Sequence, residues 1–104
     1  MILIITYECD DSISEKVYSL IKKHSVKTEL DKPDIIWLFK NSIIINTDSD
    51  KESICKDLTS IMFNGLGRYL IIQLLPDEFN KLFDGFISTN VISWLNEHGI
   101  NKSK

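Results

Sequence analysis

The chain has no alanine and only one arginine, Arg68, among its 104 residues. The missing alanine accompanies an abundance of Ile, Asn and Lys. That bias reflects an AT-rich microbial or viral genome and carries no mechanism. The shortage of arginine and the net charge of −3 argue against a broad nucleic-acid binder, which needs a basic face to replace the counterions of the phosphates. Two cysteines, Cys9 and Cys55, cannot build a secreted disulfide scaffold and are not spaced as a metal pair, so a reducing cytoplasm is the expected location. No apolar run approaches the roughly 20 residues that span a bilayer, and no membrane partner is expected. Residues 1–10 are apolar at first but lack a basic leader and a small-residue cleavage site, so they read as a strand and not as a signal peptide.

What is present suits one soluble domain over residues 1–104, with 43% hydrophobic and 26% charged residues. Residues 2–7 form a short apolar run with β-branched side chains, as in a strand buried on both faces. Ser12-Ile-Ser-Glu15 has capping-box spacing. Ile13, Val17, Leu20 and Ile21 then make one helical stripe, predicting a helix over residues 13–24. Lys32-Pro33 blocks further helix. Residues 35–39 and 42–47 are two β-rich runs joined at Lys40-Asn41, a tight turn without glycine, in which Asn41 can adopt a positive φ. Ser49-Asp-Lys-Glu52 repeats the capping-box spacing, with Asp48 and Asp50 adding charge at the positive end of the helix dipole. Ile54, Leu58, Ile61 and Met62 form the second stripe, which Asn64-Gly65 ends. Residues 69–75 form another strand, stopped by Pro76. Phe79, Leu82, Phe83 and Phe86 make an aromatic cluster around Gly85, and Ser88 or Thr89 caps a short last helix carrying Val91, Ile92, Trp94 and Leu95.

The order strand, helix, strand, strand, helix, strand predicts an α+β fold: the ferredoxin-like β-α-β-β-α-β plan, extended by the C-terminal aromatic segment and short helix. Both long helices then cover one sheet face. Ile43, Ile44 and Ile45 cannot all point to that face, so the C-terminal segment or a second subunit must cover the other. A homodimer packed sheet to sheet is the simpler expectation.

Several stretches together resemble a known family: Ile5-Thr-Tyr-Glu8, Ser42-Ile-Ile-Ile-Asn-Thr-Asp48, Arg68-Tyr-Leu-Ile-Ile-Gln73, Phe83-Asp-Gly-Phe-Ile-Ser88 and Trp94-Leu-Asn-Glu-His98. They are similar to the small bacterial proteins related to the CRISPR spacer-acquisition endonuclease subunit, including its stand-alone relatives. The resemblance implies a ferredoxin-like homodimer. In that family an acid ends the first strand, after a tyrosine, and two subunits present it to a divalent metal. The matching residue here is Glu8, after Tyr7. The resemblance thus implies Glu8 as a ligand for Mg2+, although its side chain is one methylene longer than the family's aspartate, and a scaffold role as readily as catalysis.

Each candidate site has a plainer reading. Glu8, Asp10 and Asp11 form an acidic metal site or a solvated loop favouring a helix start. His24 and His98 sit near helix ends, where the dipole favours them over base or ligand roles, and neither has a partner at i+4 metal spacing. Acidic neighbours raise the thiol pKa of Cys9, which argues against a nucleophile, and Cys55 reads as core. Asn64-Gly-Leu-Gly67 lacks the spacing of a phosphate loop. Tyr7, Trp37, Phe39 and Tyr69 are core aromatics or a base-stacking platform. Lys16, Lys22, Lys23 and Lys27 fall in one segment, and the first three are candidates for contacting nucleic acid or a protein partner. Two functions follow. One is a homodimeric, nucleic-acid-associated scaffold with weak or no metal-dependent nuclease activity. The other is a non-enzymatic acidic module, an inhibitor or regulator that docks on a basic partner surface.

Overall fold

The computed structural model describes residues 1–75 and 87–100. The described elements are β1 (Ile2–Cys9), α1 (Ser14–His24), β2 (Ile35–Phe39), β3 (Ser42–Asn46), α2 (Lys51–Met62), β4 (Gly67–Leu74) and α3 (Thr89–Glu97). The predicted aromatic cluster at Phe79, Leu82, Phe83 and Phe86 lies outside the described residues.

The fold is α+β, with one four-stranded sheet in the order β2-β3-β1-β4 and three helices among the described residues. Every neighbouring pair is antiparallel. Because β1 and β2 both run against β3, they are parallel to each other, and α1 is the crossover between them. In the same way β3 and β4 flank β1, and α2 links them.

Alternation along β1 divides the core. Leu3, Ile5 and Tyr7 face α1 and α2, joined by Ile43 and Ile45 of β3, and they meet Val17, Ile21, Ile54 and Leu58. Ile2 and Ile4 face the other way, with Ile44 and Leu74, and meet Val91 and Leu95 of α3 and Ile100 beyond it. The C-terminal helix thus covers part of the second face. It accounts for Ile44, the middle residue of the triple-isoleucine run, which is 1% exposed.

Both predicted capping boxes shift by a residue or two. At the first, Asp10 caps a single 3-10 turn, Asp11–Ile13, by accepting from the Ser12 amide at 2.9 Å, and α1 begins only at Ser14. At the second, Asp50 and not Ser49 is the N-cap and accepts from the Ser53 amide at 2.7 Å. A carboxylate competes well for free helix N–H groups because its charge also meets the dipole. The helix ending is as expected: Asn64 and Gly65 both adopt left-handed backbone, with φ of 64° and 77°. The Lys40-Asn41 turn differs, since Asn41 is not among the residues of positive φ. A register shift between Trp37 and Phe39 accommodates the turn instead.

Candidate functional site

The second sheet face changes character along its length. The antiparallel registers set Ile2 beside Leu74, then Ile4 between Ile44 and Ile72, then Thr6 between Ser42 and Leu70, and lastly Glu8 beside Arg68. α3 covers the first rows. The later rows are open: Leu70 is 60% exposed and Ile72 37%. Thr6 and Ser42 share a cross-strand hydrogen bond of 2.9 Å between their hydroxyls. A shallow depression of about 200 Å³ lies here, lined by Thr6, Tyr7, Glu8, Arg68, Tyr69 and Leu70. A second, of about 460 Å³, adjoins it, lined by Glu8, Cys9 and Asp10 with residues 65–68.

The Glu8–Arg68 pair stands between these depressions. Arg68 donates from one guanidinium nitrogen to both Glu8 carboxylate oxygens, at 3.2 and 3.4 Å. Both side chains are largely solvated, so the pair contributes at most about 1 kcal/mol. Its chemical meaning is larger. Magnesium demands several oxygen ligands in tight geometry, whereas here the one carboxylate at the expected position faces the Arg68 guanidinium. A divalent ion at Glu8 would compete with Arg68 for this one carboxylate and would need further oxygen ligands. No group of three or more His, Cys, Asp or Glu side chains placed for a metal occurs among the described residues. Asp10 is engaged as a cap, and its hydrogen bonds from Ser12 hold its carboxyl below the usual aspartate range. Burial, reinforced by Asp11 and Asp10, pushes the Cys9 thiol up, away from nucleophilic use.

The lysines separate. At about 100° per residue along α1, Lys16 and Lys23 lie on one flank and Lys22 is turned well away. Lys22 sets its ammonium 4.5 Å from the centre of the Tyr18 ring, and Tyr18 packs on Trp37 with ring centres 5.4 Å apart. Lys27 pairs with Asp31 at 3.6 Å. The aromatics divide too. Tyr7 is buried in the helix-side core, which raises its hydroxyl pKa. Tyr69 packs against the same core and donates its hydroxyl to the Cys55 carbonyl at 3.0 Å. Only Trp37 and Phe39 of the four expose much surface.

Both histidines have partners that sequence reasoning missed. His24 bonds to Ser49 Oγ through Nδ1 at 2.9 Å and to Asp57 Oδ2 through Nε2 at 2.7 Å. This Ser-His-Asp chain has the distances of an activated nucleophile. However, the carboxylate of Asp50 caps the start of α2 immediately after Ser49, and it would repel a developing oxyanion there. The chain therefore acts as a clasp between α1 and α2. His98 bonds to Asp34 and to the Trp94 carbonyl. Ser49, Asp57 and Asp34 lie far along the chain from these histidines, and no local pattern marks them. The Glu8–Arg68 pair follows from the strand register, since pairing Ile2 with Leu74 forces Glu8 beside Arg68.

Compared with protein-family models, curated proteins and solved structures, the chain matches none.

Proposed function

We propose that the protein is a non-catalytic, homodimeric scaffold with the ferredoxin-like plan, of the class related to the CRISPR spacer-acquisition subunit. The split β-α-β connectivity and the strand order β2-β3-β1-β4 support the fold reading. The observation that carries the dimer is the open end of the second face, where Leu70 and Ile72 are exposed beside Glu8 and Arg68. A twofold axis through this patch is self-complementary: it buries leucine against leucine and sets Glu8 of one copy near Arg68 of the other. Engagement of Glu8 by Arg68 favours a scaffold over a magnesium-dependent nuclease. Nucleic acid would meet the opposite layer, where Lys16 and Lys23 share a flank of α1.

The choice of test residue follows from the packing. Ile44 lies beneath α3, so an aspartate there would unfold the protein without reporting on assembly. Leu70→Asp is the informative change. Sedimentation velocity at micromolar concentration is expected to give twice the 12.0 kDa chain mass for the wild type and a folded monomer for Leu70→Asp. A wild-type monomer, or a Leu70→Asp dimer, refutes the reading.

A second reading rests on the net charge of −3: an acidic module that docks on a basic protein. Fluorescence anisotropy with labelled single-stranded and duplex oligonucleotides separates the two. Salt-sensitive binding that a double Lys16→Gln, Lys23→Gln change removes supports the scaffold, and its absence supports the module.

A further inference from the structure

His98 closes the second face. Its Nδ1 lies 2.6 Å from the Trp94 carbonyl oxygen and its Nε2 lies 2.6 Å from Asp34 Oδ2. A carbonyl and a carboxylate only accept hydrogen bonds. Both ring nitrogens must therefore donate, which makes the ring an imidazolium or places the extra proton on Asp34. Either way the pair holds one proton more than a neutral imidazole beside a carboxylate. His24 differs, because its Nδ1 faces a serine hydroxyl that can donate to it, so a neutral ring satisfies both bonds.

We propose that His98 and Asp34 form a proton-dependent latch that holds α3 on the second face of the sheet. Three further observations favour the charged ring. It caps the C-terminal end of α3, where the helix dipole favours a cation. It stacks on the Trp94 indole, with centres 3.7 Å apart and planes 19° from parallel, an arrangement that suits a cation over a π face. The His98 and Asp34 side chains are only 15% and 16% exposed, so solvent screens their bond weakly. Asp34 is itself fixed: Asn46 donates its side-chain amide to the carboxylate at 3.0 Å, and backbone bonds tie Asp34 to Val26 and Asn46.

Among the described residues the surroundings supply no substitute charge. β2 and β3 carry no ionisable side chain. Among the described residues, α3 adds Glu97 and the loop before β2 adds Lys27, Glu29, Asp31 and Lys32, all exposed; Lys27 and Asp31 pair with each other, and none of the five is in an ion pair with the latch. The docked arrangement thus requires a proton that released α3 does not, so alkaline conditions weaken docking. Without that proton, the Nε2 lone pair faces the carboxylate. Release uncovers Ile2, Ile4, Ile44 and Leu74 and enlarges the apolar face, whether or not that face pairs with a second copy.

Nuclear magnetic resonance on the 15N-labelled full chain tests this. At pH 6, the His98 ring is expected to carry a proton on each nitrogen, or Asp34 to be protonated. From pH 6 to pH 8.5, corrected for intrinsic exchange, amide opening in α3 should rise about tenfold or more, the scale of a lost charge-assisted bond, while the interior of α2 stays unchanged. In His98→Gln, whose amide donates to Asp34 at any pH, α3 opening should be the same at both values. A docked α3 with a singly protonated ring and an ionised Asp34 at pH 6 overturns the proposal, as does an unchanged pH response in His98→Gln. Should His98→Gln not fold, Asp34→Asn must abolish the pH response, and its failure to do so overturns the proposal equally.

Discussion

Thr47 offers the sharpest test of how the two halves of the fold are joined. It follows β3, is 0% exposed, and uses its hydroxyl twice. The hydroxyl donates to the carbonyl of His24 at the end of α1 and accepts from the Ser49 amide at 3.0 Å. Its backbone exchanges bonds with Met1, at 2.9 and 3.0 Å. Thr47→Val keeps the shape and the backbone bonds but removes the hydroxyl, leaving a helix-end carbonyl and an amide without this partner. A buried polar group left unpaired costs about 1–3 kcal/mol. Partial rehydration at this helix end trims the total, so a loss of about 2–4 kcal/mol is expected. For a domain of this size each kcal/mol lowers Tm by about 4–8 °C. Thr47→Ser is the control: it keeps both bonds and loses one methyl group, costing about 1 kcal/mol. Urea titrations of the three proteins, followed by circular dichroism, measure the differences. If Thr47→Val is no less stable than Thr47→Ser at equal m-value, the hydroxyl does not join the halves and the reasoning fails.

A Cβ on Gly67 would lie 2.8 Å from the Glu8 carbonyl oxygen and 3.1 Å from Met62 Cγ. Gly67→Ala must therefore push β4 away from β1, and a destabilisation of about 1–3 kcal/mol is expected by thermal melting; an unchanged Tm refutes the contact. The Asp50 carboxyl is held below its ordinary range by bonds from the Ser53 amide and hydroxyl, aided by His24. A depressed carboxyl contributes stability above its unfolded pKa of about 3.9 and loses it as pH falls through the folded value. Asp50→Asn should therefore flatten the acid side of the stability profile, and an identical acid limb counts against the cap. The Cys9 thiol is raised by burial first and then by Asp11 and Asp10. Iodoacetamide should alkylate Cys9 more slowly than a cysteine peptide at pH 7.5, and Asp11→Asn should speed it, with peptide mass spectrometry separating Cys9 from Cys55; equal rates refute the charge effect.

The chain alone determined the elements, because local physics determines them. A continuous apolar run rich in β-branched residues was enough to mark β1, and periods of about 3.6 residues marked α1 and α2, while Pro33 and Gly65 marked breaks. The triple isoleucine of β3 also required that both sheet faces be covered, since neighbouring strand residues point opposite ways. What covers the second face was a tertiary matter: α3 reaches Ile44 from a position far along the chain, and no local pattern encodes that contact. The caps moved from serine to aspartate because two acceptors competed within one turn, a contest that backbone geometry decides. The site was legible only in part. Glu8 stood out at the end of β1, but its neighbour Arg68 is 60 residues away, and only the antiparallel register brings them together. The histidines likewise read as helix-end residues, while Asp57 lies 33 positions from His24 and Asp34 lies 64 from His98. Charge partners across such separations depend on how strands and helices dock, so only the tertiary structure could set Glu8 beside Arg68 and His98 beside Asp34.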